Sequence, residues 1–193
     1  VVVRNISGHC DNLNDVINHI KISGFANYFG EQRFGVKQDN VEQALRVLNN
    51  RHKSKRLSRH KRSLYLSALR SELFNQILSK RIAQGIWLQP IDGDAYLLAG
   101  SQSVFCEPLD EQIAQRYNEL DIHCGISLFG SGESRLSGQA LAIENEVLSE
   151  HAEIGEVLLR NELKRSFRAN RAIARNLEFE YFPEQAEIHL RVE

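Results

Sequence analysis

Apolar residues recur three and four positions apart along most of this chain and alternate by twos only near its ends, which predicts helices framed by short strands. Residues 1–6, rich in valine and isoleucine, read as a strand that turns out at Ser7-Gly8. Leu13, Val16, Ile17 and Ile20 make one face of a first helix, capped by Asp11 or Asn12 and stopped at Gly24. Val41, Ala44, Leu45 and Leu48 mark a second, with Asn40 as cap and Gln43 completing a capping box. Leu66, Leu69, Leu73 and Ile77 mark a longer helix from near Ser63 to Gly85. Residues 86–105 read as two short strands around a loop, and Pro108 opens a helix that turns Leu109, Ile113 and Tyr117 inward. A glycine- and serine-rich loop over 125–138 precedes two helical segments reaching residue 176. Residues 177–192 alternate about Pro183-Glu184-Gln185 as a hairpin. Strands at both ends with helices between them predict an α+β chain: a mainly helical α/β lobe over about 24–172, inserted between segments 1–23 and 173–193 of one sheet.

Charge changes this picture. The formal net charge is −1, yet residues 1–100 carry +7 and residues 101–193 carry −8. Arg51, Lys53, Lys55, Arg56, Arg59, Lys61 and Arg62 fall within twelve residues, joined by His52 and His60, and no acid lies between Glu42 and Glu72. A polyanion is the expected partner. Lys164, Arg168, Arg171 and Arg175 follow helical spacing, which suits either a solvated face or a stripe that tracks phosphates.

Other chemistry is sparse. Asp92-Gly93-Asp94 has the paired carboxylates of a metal site, but it is also a strong turn signal, and the turn is the expected role. Gly130-Ser131-Gly132 lacks the following Lys-Ser/Thr of a phosphate loop. The seven histidines show no metal-ligand spacing and no serine sits in G-x-S-x-G, so no metal and no catalytic triad is expected. Cys10, Cys106 and Cys124 are odd in number and widely spaced, as reduced thiols in a cytoplasm would be. No apolar run reaches membrane-spanning length and no heptads extend into a coiled coil; the oligomeric state stays open, with a monomer favoured.

One stretch has neither period. Asn27-Tyr28-Phe29-Gly30-Glu31-Gln32-Arg33-Phe34-Gly35 packs aromatics, glycines, amides and an arginine together, the composition of an ordered loop. It resembles the NYFGxQRFG signature of the TruD family of tRNA pseudouridine synthases at all eight defined positions. Ser67-Ala68-Leu69-Arg70-Ser71-Glu72-Leu73-Phe74-Asn75-Gln76 is similar to the family's S-A-x-R-S-x-L-F-N-Q helix. Asp92-Gly93-Asp94, Gly130-Ser131-Gly132-Glu133 and Ala140-Leu141-Ala142 follow in family order.

The resemblance implies a pseudouridine synthase catalytic domain interrupted by a family-specific insertion domain, with tRNA as partner and no metal or organic cofactor. It implies conversion of uridine 13 of tRNA to pseudouridine. None of the seven aspartates stands in the family's G-x-K-D-x-x-A-x-T context, so no catalytic residue is expected in this chain, which reads as an internal piece that is inactive alone. What remains are candidates for holding RNA. They are Asn27, Gln32 and Arg33 in the signature loop, Arg56, Arg59, His60, Lys61 and Arg62 in the basic run, and Lys164 and Arg168 farther on. Arg70 and Asn75 complete the set, either as RNA contacts or as groups that orient the loop.

Overall fold

A computed structural model describes residues 1–8, 10–101 and 103–192, with Arg51 and Lys53 as backbone only, so those two members of the basic run lie outside the described side chains. The chain runs β1 (Val2–Val3), α1 (Leu13–Ser23), β2 (Phe25–Ala26), a 3-10 turn at Glu31–Phe34, α2 (Asn40–Leu48), α3 (Arg51–Lys55) and α4 (Arg59–Ala83). It continues through β3 (Ala95–Leu98), β4 (Val104–Phe105), α5 (Glu111–Asn118), β5 (Ile122–Leu128), α6 (Gly138–Glu150) and α7 (Ala152–Arg160). It ends with β6 (Ser166–Ala169), β7 (Arg171–Ala172), β8 (Glu178–Phe182) and β9 (Glu187–Arg191). At 45% helix and 19% strand the fold is α+β.

Two compact units divide these elements: residues 1–26 with 171–193, and residues 27–170. In the first, β1 and β8 flank β9 in an antiparallel sheet, although the strand read over 1–6 shrinks to Val2–Val3. Ile17, Ala174 and Leu177 form its core, with Leu13, Ile20, Phe179 and Leu190 against them, whereas Val16 is exposed. The chain leaves and re-enters side by side, Phe25 opposite Ala172 and Ala26 opposite Arg171. Gly24 is required here: it has φ +79°, and a Cβ would stand 2.5 Å from the Ala172 carbonyl oxygen.

The second unit is built around α4. Leu66, Leu69, Leu73, Phe74, Ile77 and Leu78 bury one broad face of it, and α2, α6, α7 and β5 pack on that face. The helix starts four residues earlier than the apolar period predicts, because Ser58 caps it by accepting from the Lys61 amide at 3.2 Å. The basic run is therefore helical at Arg51–Lys55 and again from Arg59, with Arg56 in the turn between α3 and α4. The α2 cap is Asp39, not Asn40, and Gln43 reaches back to its carboxylate at 2.8 Å. An antiparallel sheet in the order β4-β3-β5-β6 completes the unit. On it α5 packs Ile113 and Tyr117 against Tyr96, Ile122 and Cys124, while Leu109 stays exposed ahead of an Asp110 cap.

The largest correction concerns residues 122–176. The first four residues of the expected glycine-serine loop belong to strand β5, and the second expected helix ends at Arg160. Glu162, at φ +53°, turns the chain out of α7, and residues 166–169 pair with β5, Ile126 opposite Arg168 and Ser127 opposite Phe167. The helical spacing of Lys164, Arg168, Arg171 and Arg175 is a coincidence. Strand β5 has backbone donors and acceptors on both edges, and pairing them outweighs the weak helical preference of 164–175.

The Asp92-Gly93-Asp94 segment is a turn: Gly93 has φ +80° and Asp94 donates its amide to the Ile91 carbonyl at 3.2 Å. Asp94 is buried, bonded to Arg81 of α4 at 2.5 Å and to the Ile91 amide at 2.9 Å. Burial pushes its carboxyl up, and the Arg81 guanidinium opposes that shift.

Candidate nucleic-acid interface

The signature loop is fixed by its neighbours at Asn27, Tyr28, Phe29 and Arg33. Asn27 donates its amide to the Asn170 carbonyl at 3.0 Å and its side-chain nitrogen to the Ala169 carbonyl at 2.9 Å. Its side-chain oxygen accepts from Arg168 at 2.6 Å, which settles the orientation of the amide. Asn75, on α4, clamps the next turn of the loop. Its Oδ1 accepts from the Phe29 amide at 2.9 Å, and its Nδ2 donates to the Phe29 carbonyl at 3.0 Å. Phe29 meets Phe74 edge to face at 5.2 Å between centroids.

Two guanidiniums share that aromatic ring. Arg168 lies 4.3 Å and Arg33 5.2 Å from the Phe29 centroid, and Arg33 donates to Ser67 Oγ at 2.9 Å. Burial, and then the Arg33 charge, lowers the pKa of Arg168. The faces of the Phe29 ring offset part of the cost of holding two like charges together. Arg70 works as a staple: one nitrogen donates to the carbonyls of Leu128 and Lys164 at 2.6 and 3.1 Å and to Ser166 Oγ at 3.0 Å. Burial lowers its pKa too.

Farther along α4, Arg62 donates to Ser54 Oγ at 3.1 Å and to Asn161 Oδ1 at 2.5 Å, tying α3 and the end of α7 to the helix. Arg56, Arg59, His60 and Lys61 are exposed, and Lys61 lies 5.5 Å over the Tyr65 ring. Gln32 and Lys164 are exposed as well. Between the loop and the basic end, α4 shows Arg59, Arg62, Ser63, Leu66, Ser67 and Arg70 to a cleft of about 520 Å³, whose other walls include Phe29, Leu128 and Leu163. These α4 positions are three and four apart, one face of the helix.

Apart from Gln32, Lys164 and the tethered Arg62, the candidates fall into two groups. Asn27, Arg33, Arg70, Asn75 and Arg168 gather around Phe29 and the strand edge, where much of their bonding capacity is used within the protein. Arg56, Arg59, His60 and Lys61 present charge outward. Ser67 was not singled out in the sequence, although it lies three residues before Arg70 in the same motif and hence on the same face. Leu128 carries no signal in the sequence, and Leu163 only that of an apolar stripe with Leu159 and Phe167.

Asn75→Ala is expected to destabilise the chain by about 1–3 kcal/mol, because two backbone groups of Phe29 lose their partner. Hydrogen exchange at the Phe29 amide should rise selectively, while amides within α4 keep their protection. Unchanged exchange there would show that the loop is held by other contacts.

Among the described residues no group of three His, Cys, Asp or Glu side chains is placed to hold a metal ion, and no helix is long and apolar enough to cross a membrane. Residues 37–156, more than half of the chain, match the family model described as tRNA pseudouridine synthase D (TruD). The tRNA pseudouridine synthase D of Methylococcus capsulatus is 41% identical over 180 residues, covering 93% of this chain and 50% of that protein. That of Hydrogenovibrio crunogenus is 36% identical over 185 residues, covering 96% and 53%. The chain spans about half the length of the curated relatives it matches. A solved structure from Methanosarcina mazei, a putative tRNA pseudouridine synthase D, superposes with a TM-score of 0.68 over 98% of this chain and 63% of that one; at 18% identity the likeness is one of fold. Signature loop, α4 motif, family match and fold agree, and the chain belongs to the TruD family of tRNA pseudouridine synthases.

Proposed function

We propose that this chain is the RNA-gripping part of a cytoplasmic enzyme that converts uridine 13 of tRNA to pseudouridine. In this reading residues 27–170 are the family's insertion domain, and the nucleophilic aspartate is supplied outside these 193 residues. The reaction is an isomerisation: the bond from C1′ to N1 breaks, the uracil turns, C1′ bonds to C5, and the C5 proton is lost as N1 gains one. No oxidant, metal or organic cofactor is needed to balance it. The uridine must leave its stack, at a cost of a few kcal/mol, and contacts to the surrounding backbone offset that cost.

The observation that carries the reading is the exposed cationic segment at the start of α4, where Arg59 and His60 of the helix and Arg56 in the turn before it have no hydrogen-bond or ion-pair partner among the described residues, with Arg59 opening onto a cleft beside the signature loop. A second reading, that the lobe is scaffold or gate and RNA is held elsewhere, draws on the −8 charge of residues 101–193.

The test is to map pseudouridine in an unmodified tRNA transcript treated with the full-length enzyme. Product at position 13 is expected, and product confined to another position would overturn the assignment. In the same enzyme Arg33→Ala should lower kcat/KM about tenfold, the scale of one charge-assisted hydrogen bond. Unchanged turnover would reduce Arg33 to a packing role against Ser67 and Phe29.

A further inference from the structure

The cleft beside α4 has a lining that the loop contacts leave unused. Leu66, Leu128 and Leu163 give it apolar walls, while Arg59, Arg62 and Ser63 stand on its α4 side. Leu66 is only 7% exposed and belongs to the packed face of α4, so that wall is rigid. The volume, about 520 Å³, lies within the range of small-ligand sites. Arg62 is held by Ser54 and Asn161, whereas Arg59 is exposed and has no partner among the described residues. One cation is therefore fixed and the other free to follow a ligand. An apolar hollow beside two guanidiniums matches a base joined to its phosphate. A paired and stacked base cannot present itself this way.

We propose that this cleft receives one unstacked nucleotide of the bound RNA, its base against Leu66, Leu128 and Leu163 and its phosphate at Arg59 and Arg62. The proposal rests on the reading above that the lobe holds RNA, and it adds a preference: the lobe selects single-stranded nucleotides over duplex.

The test is fluorescence anisotropy on the intact chain with three labelled probes: hexauridylate, an abasic ribose-phosphate oligomer of the same length, and an RNA duplex carrying the same number of phosphates. Hexauridylate should bind about tenfold more tightly than the abasic oligomer, the effect of burying roughly one pyrimidine's apolar surface. Ser63→Leu is the variant of choice. Position 63 is exposed on α4 and leucine is a good helix former, so folding is preserved while the cleft narrows with no change in charge. It should bring hexauridylate down to the affinity of the abasic oligomer and leave duplex binding unchanged. If the native chain binds both oligomers equally while still binding duplex, the nucleotide site is overturned and the RNA-gripping surface stands. If the folded chain binds none of the three probes, both fall.

Discussion

Changing Arg56, Arg59, Lys61 and Arg62 together to alanine should weaken binding of this chain to unmodified tRNA about a hundredfold at 0.1 M salt, because each phosphate neutralised contributes up to roughly one order of magnitude there. The logarithmic salt slope should become shallower by about 2, on the order of 0.7–0.9 per lost contact. The drop is expected to be smaller than four full contacts would give, since Arg62 already spends part of its guanidinium on Ser54 and Asn161. A triple variant that keeps Arg62 separates the two roles: it should retain native thermal stability and lose most of the same affinity. Binding by the native chain that neither variant weakens would move the grip away from α4. No binding by the folded native chain would favour the scaffold reading, with affinity supplied by the rest of the enzyme.

Asp94→Ala should destabilise the chain by about 3–5 kcal/mol, among the larger effects a single substitution can have here. Asp94 and Arg81 are both nearly fully buried, with side chains 1% and 3% exposed. Removing the carboxylate strands a guanidinium in the interior and leaves the Ile91 amide without its acceptor. Replacing both partners, Arg81→Met with Asp94→Leu, should recover most of the loss, because no isolated charge then remains, while the Ile91 amide stays without its acceptor. Urea unfolding of the single and double variants makes the comparison. A single variant within about 1 kcal/mol of native would show that the pair does not anchor the Asp92-Gly93-Asp94 turn to α4.

The readings that succeeded from sequence are those where a local rule acts alone. The apolar stripe of α4 was visible because a helix buried along one face must repeat apolar residues every three to four positions. Its true start is hidden in the sequence, because the basic residues 59–62 break the apolar period while Ser58 supplies the cap. The Asp92-Gly93-Asp94 turn was legible from glycine's access to positive φ. The burial of Asp94 was not, since its partner Arg81 lies thirteen residues away on a different element. Asn75 stood between contacting RNA and orienting the loop, and the geometry engages both of its amide atoms with Phe29.

Arg168 shows where such reading stops. Its spacing from Lys164 and Arg171 fits a helix, and only the unpaired edge of β5 makes it a strand residue. Its bond to Asn27 spans 141 positions in the chain, with no local trace in either segment. By itself the sequence determined the resemblance to the family, through its ordered motifs, and the apolar face of α4 and the concentration of positive charge in the first hundred residues, because these last two follow from residue type and spacing alone. Tertiary structure decided which of the polar residues are committed inside the protein and which face outward, because a buried donor or acceptor takes whatever partner the folded chain brings to it, however distant in sequence.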